Sequence, residues 1–71
     1  MKTSDLNAPP PRRRLLRTKP SAEYISSSPW KLRQMALKGE IPFIQPEDGS
    51  PFLFDIRDLD GWIERNKRIA S

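Results

Sequence analysis

The chain has neither cysteine nor histidine, and no apolar run approaches the length of a membrane span. Without cysteine, a disulfide framework, thiolate zinc ligation and thiol catalysis are excluded together. Without histidine, the commonest general base and the imidazole metal ligand are missing, and with them the usual nucleophile triads. Catalysis by carboxylates alone needs a cleft. The 71 residues leave little room for one, because a domain of about 60 residues buries only about 60% of its unfolded surface. The chain is therefore expected to be no enzyme and to hold no cofactor or metal. A membrane helix needs about 20 apolar residues, and Met1 to Leu16 lacks the apolar stretch of a secretory signal. The expected location is the cytoplasm, and the class left standing is a binding module.

What the chain does have is positive charge: 13 Lys and Arg against 9 Asp and Glu, a net +4 and a pI near 10.0. A basic module of this size points first to nucleic acid, with nucleoid association as the expected setting. The charge is unevenly spread. Between Met1 and Pro20 six cations face one acid, a net +5, and four prolines fall in the same stretch. Almost nothing apolar precedes Leu15, so residues 1–14 read as a disordered basic tail that cannot offset its own ordering entropy. Ala8-Pro9-Pro10-Pro11 favours polyproline II, which holds Arg12, Arg13 and Arg14 away from the domain.

Residues 15–68 form the expected domain, with 69–71 as a C-terminal end. Lys19 to Ile25 reads as a short helix, begun near Thr18 or Lys19, with Pro20 in its first turn and Ala22, Ile25 and part of Tyr24 facing inward. After Ser26 to Ser28 a second helix starts, with Ser28 as N-cap and Pro29 at the first position. Leu32, Met35 and Ala36 make its apolar stripe. Lys38 and Gly39 close it, the glycine taking a left-handed cap. Ile41, Phe43 and Ile44, the turn formers Gln45 to Pro51, and Phe52 to Phe54 read as a hairpin with a polar tip at Glu47 to Ser50. Glu47 and Asp48 lack the spaced oxygen ligands of a cation loop. A third helix opens at Asp55 or at Arg57-Asp58, carries Ile56, Leu59, Trp62 and Ile63 on one face, has Asp58 and Asp60 in its first turn and ends among Arg65, Lys67 and Arg68. Trp62 is expected in the core. The order helix, helix, hairpin, helix gives a mainly α fold with a small β-hairpin, a winged helix-turn-helix.

Ala22-Glu23-Tyr24-Ile25, the three-residue turn, the helix from Pro29, Lys38-Gly39-Glu40-Ile41-Pro42 and Asp58-Leu59-Asp60-Gly61-Trp62-Ile63 together resemble the excisionase-type helix-turn-helix modules. These are small relatives of the winged domain of MerR regulators and include phage excisionases and AlpA-like regulators. The resemblance covers about Leu16 to Lys67. It departs from the family at Ser26-Ser27, where a glycine and a small aliphatic residue are usual, and at Gln45 to Pro51, where two acids and two prolines replace a short basic wing. It implies a recombination directionality factor that binds repeated sites beside an attachment site, bends the DNA and works with an integrase and with further copies of itself. An AlpA-like transcriptional regulator or a phage packaging subunit would use the same fold. A rival of another class is a protein-interaction adaptor docking through Phe52 to Phe54 or Trp30.

The second helix is the expected reader. From Ser28 to Lys38 it holds three cations and no acid. Its expected outward residues are Trp30, Lys31, Arg33, Gln34 and Lys38, with Ser28 at the N-terminal end. Arg33 has the two-pronged geometry for guanine, Gln34 that for adenine, and Trp30 suits a sugar or a thymine methyl, or else folds back against the hairpin. Arg12, Arg13, Arg14 and Arg17 are the second expected contact set, reaching phosphates or a narrow A·T minor groove.

Overall fold

The computed structural model describes residues 13–70. In chain order these form strand β1 (Leu15–Arg17), helix α1 (Thr18–Tyr24), helix α2 (Pro29–Leu37), strand β2 (Leu53–Asp55) and helix α3 (Ile56–Arg65). The fold is mainly α, three helices around a two-stranded antiparallel sheet.

The sheet departs from the expected hairpin. β2 pairs with β1, in the register Leu15↔Asp55, Leu16↔Phe54 and Arg17↔Leu53. The turn-back from Ile44 survives as a single bridge to Leu53, closed by two backbone hydrogen bonds of 2.7 and 2.9 Å. Leu53 thus has a neighbour on each side, with its own backbone bonds going to Ile44, and β2 is the central strand with β1 on one edge and Ile44 on the other. The reason lies in alternation: Leu16 is the inward residue of β1 and lies opposite buried Phe54, while Leu15 and Arg17 point outward. Ile41, whose expected place is the first hairpin strand, is instead 1% exposed and plugs the core from a loop. At the tip the expected turn is present, with Ser50 N–H donating to the Glu47 carbonyl and Gly49 at φ 85°.

The expected tail boundary also moves. The Arg14 carbonyl accepts from Ile56 N–H at 2.8 Å, which extends the β1 pairing to the start of α3. Residues 1–12 of the expected tail lie outside the described residues. Of the six cations assigned to the basic N-terminal stretch, Arg13, Arg14, Arg17 and Lys19 lie among the described residues, so most of that charge sits on or beside the folded domain.

α1 and α2 follow the expected plan within a residue. Ser21, fully buried, donates from Oγ to the Leu16 carbonyl and ties α1 to β1. The turn between the helices is tight despite its serines. Ser27 N–H reaches the Ala22 carbonyl at 2.8 Å and Ser26 N–H the Glu23 carbonyl at 3.1 Å, the paired bonds of a Schellman end. Ser26 takes φ 57° to make them. A left-handed residue other than glycine costs about 1–2 kcal/mol, and glycine loses about 0.5–1 kcal/mol of that advantage through its unfolded-state freedom. Ser26→Gly is therefore expected to stabilise the fold by about 0.5–1 kcal/mol, read as a higher urea midpoint with an unchanged m-value.

α2 starts on Ser28, whose Oγ accepts from Lys31 N–H at 3.1 Å, with Pro29 at the first helical position. It ends in a second Schellman pair, Gly39 N–H to Ala36 and Glu40 N–H to Met35, with Gly39 at φ 80°. Leu32, Met35 and Ala36 are buried as their spacing requires. They meet Ala22, Ile25, Ile41, Phe52, Phe54 and Leu59, with Leu16, Trp62 and Ile63 packed around them.

α3 opens at Asp55, whose Oδ1 accepts from Arg57 N–H at 2.9 Å. Asp58 is in the first turn, as expected, but Asp60 lies beyond it, and Lys67 and Arg68 fall after the C-cap Asn66. Asp60 is used otherwise: it accepts from the Tyr24 hydroxyl at 2.6 Å, linking α1 to α3 at the surface. Tyr24, at 44% exposure, lies farther out than its sequence position suggests.

Candidate nucleic-acid interface

The buried stripe of α2 leaves the opposite side of the helix to solvent. Lys31, Arg33 and Lys38 are exposed there, and Trp30 is 71% exposed. Gln34 is half-buried among them. The alternative in which Trp30 folds back as core is thereby excluded. Six of the expected contact residues thus share one helix and its two caps, with no acid from Ser28 to Lys38. Ser28 serves as the cap itself, its Oγ engaged with Lys31 N–H.

Arg33 has a partner that its sequence neighbours do not announce. Its guanidinium carbon stands 4.5 Å from the centre of the Phe52 ring. Phe52 in turn stacks on Phe43, with centroids 4.2 Å apart and planes 23° from parallel. An exposed cation over this buried ring is worth about 0.5–2 kcal/mol, and a two-pronged contact with guanine is worth about 1–3 kcal/mol. The two energies are of similar size, so Arg33 can exchange the Phe52 ring for a base.

The arginines before α1 lie elsewhere. Arg17 and Arg14 belong to the β1 edge of the sheet, opposite the Ile44 edge that comes after α2. Arg14 is bound to Asp55, Nε at 3.0 Å and Nη2 at 3.0 Å from Oδ2, so it is no free arm. Arg13 and Arg17 are exposed. Arg12 lies outside the described residues. Two open surface grooves, of about 450 and 400 Å³, are lined by Arg13, Leu16, Tyr24 and Ile56 and by Arg13, Arg14, Ile56, Arg57 and Asp60 respectively. Neither is lined by α2. The candidate site is accordingly a convex helix face rather than a pocket.

Asp55, at the start of α3, is an acid whose surroundings lower its pKa. The Arg57 backbone N–H and then the Arg14 side chain hold its carboxyl below the ordinary value of 3.8, against the smaller opposing effect of burial. A carboxyl with a lowered folded-state pKa adds stability that is complete above its unfolded pKa and is lost as pH falls through the folded one. Unfolding free energy should therefore fall with acidification below about pH 4–5. Asp55→Asn keeps an acceptor for the cap but removes the charge. Its pH profile, followed by urea unfolding, is expected to be flatter on the acid side, and a profile as steep as that of the parent chain would show that other acids carry the dependence.

One exposed residue of the site lies outside the expected contact set. Leu37 is 57% exposed. It stands seven positions after Trp30, hence on the same side of the helix by the 100° step, and that arithmetic is enough to find it.

Compared with protein-family models, with curated proteins and with solved structures, the chain matches none. Among the described residues no helix is long and apolar enough to cross a membrane. The chain forms a small three-helix domain that presents one acid-free cationic helix face.

Proposed function

We propose that the chain is a sequence-specific double-stranded DNA-binding protein of the winged helix-turn-helix kind, acting in the cytoplasm at the nucleoid. The observation that supports this is α2: Lys31, Arg33 and Lys38 are exposed on a helix that lacks any acid from Ser28 to Lys38, and its other side is locked into the core. Such a helix fits a major groove, with base edges met by its outward side chains and phosphates by its cations. α1, joined to it through the tight turn at Ser26, takes the place of the supporting helix. The segment between Ile44 and Leu53 takes the place of the wing. Its tip carries Glu47 and Asp48, which phosphates repel, so contact falls to α2.

The narrower role comes from the sequence resemblance: a recombination directionality factor that binds beside an attachment site, bends the duplex and favours excision by an integrase. A bend over about 20–30 base pairs costs about 1–6 kcal/mol, and a single module of this size buries only about 600–1,000 Å² on DNA. Neighbouring copies or a partner recombinase would supply the remainder. The test is an electrophoretic shift and footprint of the full chain on DNA from beside its gene, across a salt series. About five phosphate contacts give a log–log slope near −4 to −5. Protection of direct repeats is the result expected of the excision role, and a single isolated site would reject that role while keeping DNA binding. No shift at low salt would reject DNA binding.

A further inference from the structure

Trp30 and Leu37 are among the most exposed large apolar side chains, at 71% and 57%, and the core explains neither. They lie on α2 with Gln34 between them, at i, i+4 and i+7, which places all three on one side of the helix. At 100° per residue from the buried centre of Leu32, Met35 and Ala36, this side is the one diametrically outward. Lys31 and Lys38 border it on one flank and Arg33 on the other. An apolar strip rimmed by cations, with no acid on the helix, complements a surface that is anionic at its edges and carries apolar groups at its centre.

The major groove of A·T-rich DNA has that composition, with phosphates along both walls and thymine C5-methyl groups on its floor. Gln34 adds the amide that matches the adenine edge, N7 and N6, of the same base pairs. The lengths agree: the seven steps from Trp30 to Leu37 rise about 10.5 Å, and three base-pair steps, which span four pairs, extend about 10 Å. We infer that α2 reads thymine methyls through Trp30 and Leu37 on either side of an adenine read by Gln34, so that the preferred site contains a run of about four A·T pairs. This rests on the DNA-binding reading above and names the base class which that reading leaves open. It also divides the labour on the helix: Arg33, drawn toward Phe52 and Phe43, lies at the margin of the strip, where it meets a flanking guanine or a phosphate.

The experiment compares the full chain on three duplexes of equal length: an A·T-rich sequence, the same sequence with uracil in place of every thymine, and a G·C-rich one. Uracil pairs as thymine does but lacks the methyl group. Each methyl removed from an apolar contact is expected to weaken binding about fourfold, so loss of both contacts should cost about fifteenfold. The Trp30→Ala/Leu37→Ala variant should bind the thymine and uracil duplexes alike. Both side chains are exposed, and an unchanged circular dichroism spectrum would show that the variant is folded. Equal affinity of the parent chain for thymine and uracil duplexes, both bound, overturns the inference and leaves DNA binding intact. A thymine preference that survives in the double variant likewise overturns it. Failure to bind any of the three at low salt removes the DNA-binding reading itself.

Discussion

Phe54→Ala is expected to cost the domain a third or more of its stability, about 3–5 kcal/mol. Phe54 is fully buried, lies opposite Leu16 across the sheet and meets Phe52 edge to face at 6.5 Å between centroids. Truncating a buried phenylalanine costs about 3–5 kcal/mol. At about 0.05–0.15 kcal/mol per residue, a domain of this size has about 3–9 kcal/mol in all, so the loss runs from about a third of the total to all of it. Urea unfolding followed by tryptophan fluorescence measures it, with Leu15→Ala as the comparison. Leu15 neighbours the same pairing but faces outward at 39% exposure, and truncating it should change stability by less than about 1 kcal/mol. Similar losses at the two positions would mean that the inward and outward faces of the β1–β2 pair have been assigned wrongly.

The contrast also shows which parts of the fold are legible in the chain. The elements that announce themselves are closed by residues a few positions apart. Ser28 and Pro29 start α2, Gly39 ends it, and the spacing of Leu32, Met35 and Ala36 sets its buried side. Asp55 opening α3 belongs to the same group. β1 does not announce itself, because its strand character comes from a distant partner, β2, and the Arg14–Asp55 contact joins positions 41 apart. A short apolar pair beside four cations reads locally as the end of a tail. The hairpin differs from its expected form for a related reason. Ile41, Phe43 and Ile44 are apolar enough for a strand, but the core takes Ile41 and the Phe52 ring takes Phe43, so only Ile44 remains to bridge Leu53.

In the candidate site, the exposed side of α2 is legible because it is what remains once the buried stripe is known. The resting place of Arg33 is not, since the approach of Phe52 depends on the path of the whole segment after Gly39. That resting place bears on affinity. To reach a base the guanidinium leaves the Phe52 ring, and the loss of that contact subtracts from the affinity gained.

Replacing Lys31, Arg33 and Lys38 together by glutamine is expected to weaken duplex binding about 10²- to 10³-fold at 0.1 M salt. The magnitude comes from counterion release. Each phosphate neutralised contributes about 0.9 to the log–log slope, and at 0.1 M that is about 0.9 decades of affinity per contact relative to 1 M. Three contacts therefore account for about 2.7 decades, and the slope should relax by the same amount, from near −4.5 to near −2. Stability should change by no more than about 2 kcal/mol, because all three side chains are exposed and only the Arg33 contact with the buried Phe52 ring is lost. The control is charge neutralisation on the far edge of the sheet, at Arg13 and Arg17, which are also exposed. If α2 faces the duplex, the control should shift the slope by less than the α2 variant does. A slope that falls equally in the two variants would spread the interface across both edges of β2, and a slope unchanged in the α2 variant would place the duplex somewhere other than on this helix.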